Sequence, residues 1–144
     1  MQVKPVYEEI PDFLQMAVRL VEKYPDRFGR IEVNRLIAYG ITNKERKEDK
    51  GKVYGITGET EPQSFTNSKT YFVEMYMSDW DARSEAARLL IVASALSRID
   101  VDNPGKVFPL DYKDQTVMVK TFGAEWENKS DIPHLLNDRV EFND

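Results

Sequence analysis

The chain has 144 residues, of which 41% are hydrophobic and 11% aromatic, so it is long enough to bury a core and too apolar for a disordered chain. Its 25 acidic and 20 basic residues give a formal net charge of −5, which disfavours the basic face that nucleic-acid binding requires. It has no cysteine, so disulfides, thiolate catalysis and cysteine-ligated zinc are excluded.

The N-terminus lacks the apolar segment of a signal peptide. No apolar run approaches the ~18 residues that a membrane span needs. We therefore expect a cytoplasmic protein with no membrane partner.

The first half of the chain predicts one helix followed by two strands. Apolar residues recur at helical spacing over residues 10–24, and a β-branched, alternating segment at 31–42 predicts a strand in its second half. Residues 43–52 alternate in the sign of their charge, which is typical of a solvated loop. A short strand is predicted at 53–57, and a polar loop with a proline at 59–69.

The second half predicts the firmest strand and the strongest helix. Residues 71–77 alternate in polarity and predict a strand. Asp79 is interpreted as the N-cap of a long core helix at 82–99, in which Leu96 is expected to be buried. A turn-rich connector at 100–109, a helix at 112–122, a terminal turn at 130–136 and a frayed acidic tail complete the chain.

This order of elements predicts an α+β fold with a small antiparallel sheet packed against the helices at 11–24 and 82–99. We expect one domain over residues 1–144, with its core at about 7–136.

The sequence contains few residues suited to zinc-dependent or nucleophilic catalysis. The only histidine, His134, has no second imidazole to share a zinc ion or serve a nucleophile, and its position predicts a partly exposed turn. Asp100 and Asp102 precede Asn103-Pro104-Gly105, which favours a turn role. A magnesium or manganese site built from some of the carboxylates stays open as an alternative; these are Asp79, Asp81, Asp100, Asp102 and Asp111.

Several segments together resemble a known family. They are VEKYPDRFGRI at 21–31, ITNKERK at 41–47, YFVEMYM with SDW at 71–80, DYKD at 111–114, TFGAEW at 121–126 and DIP at 131–133. This pattern is similar to the phage metallopeptidase domain family, a zincin-like family of bacteriophages and prophages, and it covers about residues 7–136.

The resemblance implies a degenerate zinc site. Family members with catalytic potential carry two helical histidines four residues apart, with a glutamate after the first. The resemblance places Ser94 and Arg98 at the histidine positions, Ala95 at the glutamate and Leu110 at a third ligand. None of these residues can do the corresponding task, so no catalytic residue, metal or cofactor is expected.

The implied function is that of a catalytically inactive, metallopeptidase-like phage protein, a pseudoenzyme that acts by protein binding in the bacterial host cytoplasm. Host takeover, inhibition of a bacterial defence system and a virion accessory role all fit this description. The alternatives are a hydrolase with a carboxylate-bound divalent metal and a nucleic-acid-associated accessory protein. The last would require a shared face for Arg83, Arg88, Arg98, Lys106, Lys113 and Lys120.

A protein partner is expected to bind at the predicted strand and the helix-capping residues after it, residues 71–80, together with the loop at 59–69. Strand alternation must turn about half of the aromatic and methionine side chains there away from any single core face. The alternative is that a second helical layer, at 112–122, covers that other face. The expected interface residues are Tyr71, Phe72, Met75, Tyr76, Met77 and Trp80.

Overall fold

The computed structural model describes residues 4–46, 53–109, 116–123, 126–129 and 131–143. The strands are β1 (Tyr7–Glu9), β2 (Leu36–Ile41), β3 (Tyr54–Gly58) and β4 (Tyr71–Tyr76). The helices are α1 (Pro11–Lys23), α2 (Pro25–Phe28), α3 (Gln63–Thr66), α4 (Met77–Asp81), α5 (Glu85–Ser97) and α6 (Thr116–Phe122), with short 3-10 turns at Val33–Arg35 and Trp126–Asn128. The α+β class is confirmed.

The four strands form one open sheet in the order β1-β2-β4-β3. β1 pairs antiparallel with β2 and β3 pairs antiparallel with β4, but β2 and β4 run parallel. The predicted antiparallel sheet is therefore wrong in its centre, because β4 inserts between β2 and β3 instead of following β3 at the edge. β1 was not predicted; its two glutamates give it little intrinsic strand preference.

One face of the sheet is buried under helices. Alternate residues of β4 are buried and half-buried, as the sequence predicts, and Leu36 and Ala38 of β2 are fully buried on the same face. α1 contacts β2 and also packs on α5, so the core lies between the sheet and these two helices. Within the described residues, no helix is both long and apolar enough to cross a membrane.

The predicted helix at 82–99 corresponds to α5, and a separate short helix, α4, precedes it. α4 ends at Asp81, and α5 begins at Glu85 after Ser84, whose hydroxyl accepts a hydrogen bond from the Ala87 amide at 3.2 Å. Ser84 is therefore the N-cap, and the assignment of that role to Asp79 is wrong. α5 is nonetheless the central core helix, because every residue from Leu89 to Leu96 is buried.

The C-terminal segment is packed rather than frayed. The Phe142 ring lies at 5.5 Å from that of Tyr24, 5.9 Å from that of Phe28 and 5.8 Å from that of Phe122. The Tyr24 hydroxyl donates to the Leu135 carbonyl at 2.8 Å. α6, which covers the described part of the helix predicted at 112–122, thus joins the cluster at the end of α1; residues 112–115 lie outside the described residues.

Candidate functional site

Two of the positions that the resemblance assigns to a zinc site, Ser94 and Arg98, lie one turn apart at the C-terminal end of α5, and both are buried. The Ser94 hydroxyl shares a 2.5 Å hydrogen bond with the Tyr54 hydroxyl of β3. One turn later, the Arg98 guanidinium lies 5.9 Å from the centre of the Tyr54 ring, and its Nε donates to the Phe108 carbonyl at 2.9 Å. Ala95 is fully buried beside them. Ser94 and Arg98 therefore do converge, as two zinc ligands would, but they converge on the side chain of Tyr54.

The donor set at this point does not fit a zinc ion. Burial raises the pKa of Tyr54 to about 12, although Ser94 and Arg98 act in the opposite direction. The phenol is therefore neutral at physiological pH, and a serine hydroxyl and a permanently charged guanidinium are not ordinary zinc ligands. Leu110, the fourth assigned position, lies outside the described residues.

His134 lies in a surface turn, as predicted. Its Nδ1 accepts a hydrogen bond from the Asn137 amide at 3.2 Å, and its Nε2 lies 3.6 Å from a carboxylate oxygen of Glu85. The imidazole therefore holds a local turn against the start of α5.

The candidate metal-binding carboxylates are dispersed among local contacts. Asp79 pairs with Arg46 at 3.0 Å and with Arg83 at 3.5 Å. Asp100 accepts bonds from the Asp102 amide and the Asn103 side chain, which confirms its turn role. In the part of the chain that the structure describes, no three His, Asp or Glu side chains converge as metal ligands; Asp111 lies outside it.

The basic residues proposed for a nucleic-acid face are partly engaged elsewhere. Arg98 is buried, Arg83 donates to the Asp79 carbonyl at 2.7 Å, and Arg88 donates to the Trp80 carbonyl at 2.9 Å. Arg98 cannot contribute to an exposed surface. Lys106 and Lys120 are exposed, and Lys113 lies outside the described residues.

Half of the predicted interface residues belong to the core. Tyr71, Met75 and Trp80 are only 7%, 3% and 2% exposed, so their assignment to an interface is wrong. Tyr71 points to the helical side, where its hydroxyl accepts a bond from the Gly105 amide, and Trp80 packs against Phe13 at 5.8 Å. Met77 is half-buried in α4.

The remaining predicted residues, Phe72 and Tyr76, lie on the opposite face of the sheet, which we call the open face. The strand register places side chains from all four strands on it, and most of these are half-buried or exposed. They are Tyr7 and Glu9 of β1, Ile37, Tyr39 and Ile41 of β2, Phe72, Glu74 and Tyr76 of β4, and Gly55 and Thr57 of β3.

Aromatic and acidic groups dominate the open face. The rings of Tyr7 and Tyr39 meet edge to face at 5.2 Å, and the Tyr39 hydroxyl donates to a Glu74 carboxylate oxygen at 3.4 Å. Burial, and after it the Glu74 charge, raises the pKa of Tyr39, so this phenol remains a donor. The alternation of Ile37, Tyr39 and Ile41 in the sequence could have revealed this face; the contribution of β1 could not be foreseen.

A groove of about 400 Å³ opens where β3 meets β4, lined by Ile41, Val53, Tyr54, Gly55, Glu74, Met75 and Tyr76. Gly55 creates part of it, since a Cβ at that position would meet nothing within 4 Å. Gly55 lies directly opposite Glu74 in the ladder, so the carboxylate is uncovered toward the β3 edge. Elsewhere, the segment predicted as a loop at 59–69 contains the short helix α3, in which Phe65 is 84% exposed.

No protein-family model, curated protein or solved structure matches the chain. The resemblance to phage metallopeptidase domains therefore stays a prediction, and function is argued from the geometry above.

Proposed function

We propose that this domain is a catalytically inactive, metallopeptidase-like phage protein that binds an extended polypeptide segment along β3 and the open face of its sheet. The observation that carries this proposal is the partly exposed aromatic and acidic face that ends at an edge strand. The setting that the resemblance suggests is the bacterial host cytoplasm, in host takeover, anti-defence or a virion accessory role.

The position of β3 supports strand addition. Among the strands of the described residues, β3 is the last of the sheet and pairs with β4 alone, on its inner side. An edge strand presents backbone donors and acceptors that an extended peptide can pair with, while pockets for alternate side chains supply specificity. The groove beside Gly55 is such a pocket, because an added strand turns every second side chain to the open face and a long one can reach the groove across Gly55.

The packing around Tyr54 supports the absence of zinc-dependent hydrolysis. A hydroxyl, a methyl group and a guanidinium occupy the positions that would need two imidazoles and a carboxylate. Protein purified without a histidine tag should contain far less than one zinc ion per chain by elemental analysis. Stoichiometric zinc that survives dialysis would contradict the inactive assignment.

Selection from a random-peptide library on the immobilised protein tests the binding function. Enriched peptides should shift the backbone NMR signals of β3 and of the adjoining β4 residues. Gly55→Leu should weaken the binding of these peptides at least tenfold, because the new side chain fills the groove without a clash. The matched control Gln15→Leu adds the same side chain to the exposed side of α1 and should bind as wild type.

Two results would overturn the proposal. One is the absence of any peptide enriched over an unrelated protein of similar charge. The other is a set of peptides whose binding is unchanged by Gly55→Leu.

A further inference from the structure

Glu74 lies at the centre of the open face, and no cation of the described residues forms an ion pair with it. It is half-buried in β4, with Tyr39 opposite it on one side and Gly55 opposite it on the other. The Tyr39 hydroxyl at 3.4 Å is a long, weak donor. Among the described residues, the recorded ion pairs engage Asp79, Asp102 and Glu85, and none engages Glu74.

The charge of the whole open face has one sign. β1 and β4 supply two carboxylates, Glu9 and Glu74, and the register places Glu9 opposite Tyr39. The strand residues of this face include no lysine, arginine or histidine. A partly desolvated carboxylate is stabilised by an opposite charge and by charge-assisted hydrogen bonds, and neighbouring tyrosine rings favour a cation further.

Because Gly55 has no side chain, a side chain of a strand added outside β3 can pass over it to Glu74 if it is long enough. A strand added at the edge of β3 lies two strand spacings from β4, or about 10 Å. A side chain that stands beside Gly55 on the open face meets no Cβ there and can extend across β3 into the groove. Short side chains cannot cover this distance, whereas the long stems of lysine and arginine can pack along apolar surface with the charged end at the far side.

We therefore infer, building on the proposed peptide binding, that the bound segment places a lysine or arginine beside Gly55, with its cation against Glu74 and near the rings of Tyr39 and Tyr76. The segment that this face recognises is a basic one. Acidic peptides and nucleic-acid backbones would meet Glu9 and Glu74 with like charge and are disfavoured.

Three small probes that differ in side-chain chemistry test this inference directly. They are the N-acetyl, N-methylamide derivatives of lysine, arginine and norleucine, of which norleucine has a similar unbranched stem and no charge. At concentrations on the order of millimolar, lysine and arginine should shift the amide signals of Gly55, Glu74 and Tyr76 in a saturable way, and norleucine should not. The shifts should weaken when the salt concentration is raised, because a charge pair at a partly exposed site is screened.

Glu74→Gln keeps the shape of the side chain, removes its charge and should weaken lysine binding at least tenfold. Gly55→Leu should do the same by filling the groove while Glu74 stays in place. The control Glu22→Gln removes one exposed carboxylate from α1 and should leave binding unchanged.

The inference is overturned if the lysine and arginine derivatives bind no better than norleucine, or if Glu74→Gln binds them as wild type does. Library peptides that lack lysine and arginine, yet still depend on Gly55, would overturn it as well. That last result would leave the proposed peptide binding supported, so the two failures are distinguishable.

Discussion

The hydroxyls of Tyr54 and Ser94 lie 2.5 Å apart, and their hydrogen bond joins the edge strand β3 to the core helix α5. Both side chains are buried, so the bond is protected from competing water. It holds the groove-bearing strand against the helix at the place where the resemblance would put a metal. A buried hydrogen bond between a strand and the core helix should contribute measurably to stability.

Removing either hydroxyl should cost about 1 kcal/mol of unfolding free energy, the usual net value of a buried hydrogen bond. Tyr54→Phe and Ser94→Ala, measured by urea denaturation, should each show this loss. The double variant should lose at least ~0.5 kcal/mol less than the sum, because the two side chains share one bond. Strict additivity would mean that the two hydroxyls contribute independently.

The stability of the protein should fall at alkaline pH through Tyr54. Its pKa in the folded protein is about 12, against an ordinary value of 10.0. Above pH 10 the unfolded chain releases this proton while the folded protein keeps it, so the free energy of unfolding decreases with pH. The stability associated with the protonated Tyr54 is fully present below pH 10 and is lost as the pH rises from 10 toward 12.

Comparison with Tyr54→Phe isolates this effect from other titrating groups. Between about pH 9 and about pH 11, wild type should lose about 1 kcal/mol more than the variant. An identical pH dependence in both proteins would show that Tyr54 ionises as easily when folded as when unfolded.

Much of the fold follows from local sequence patterns. The apolar residues of α1 recur with a 3.6-residue period and those of β4 with a two-residue period, so both elements could be predicted from their own segments. Likewise, the Asp100 turn depends on side-chain bonds to residues two and three positions later.

Features that depend on distant partners were not accessible in this way. The parallel pairing of β2 with β4 depends on β3 passing to the outside of β4, which no local pattern specifies. Phe142 has an ordinary local context, and its partial burial depends on Phe28 of α2, Phe122 of α6 and Tyr24 between α1 and α2. For the candidate site, the alternation identified Phe72 and Tyr76, whereas Gly55 and Glu74 became informative only once the register was known.

Leu96 should be a large contributor to stability, because it is buried in the helix that the rest of the fold surrounds. Leu96→Ala should lower the free energy of unfolding by about 2–5 kcal/mol through lost burial and a residual cavity. A matched pair sharpens the measurement, since Val92 is buried in α5 and Val18 is 43% exposed in α1. Val92→Ala should cost clearly more than Val18→Ala, which should stay within about 0.5 kcal/mol. Equal losses would contradict the central position of α5.

The two faces of β4 should respond differently to the same substitution. Met75 lies on the helical side and is almost fully buried, whereas the neighbouring Tyr76 lies half-exposed on the open face. Met75→Ser should lower the melting temperature by several degrees, because it leaves a cavity and buries a hydroxyl in the core. Tyr76→Ser should lower the melting temperature by less than half as much. It should instead weaken the binding of the selected peptides, because their contact with the open face depends on the aromatic surface. Thermal unfolding followed by circular dichroism, with peptide affinity measured on the same samples, separates the two effects. If Tyr76→Ser unfolds the protein as readily as Met75→Ser, the open face is covered in the folded protein and cannot be the binding surface.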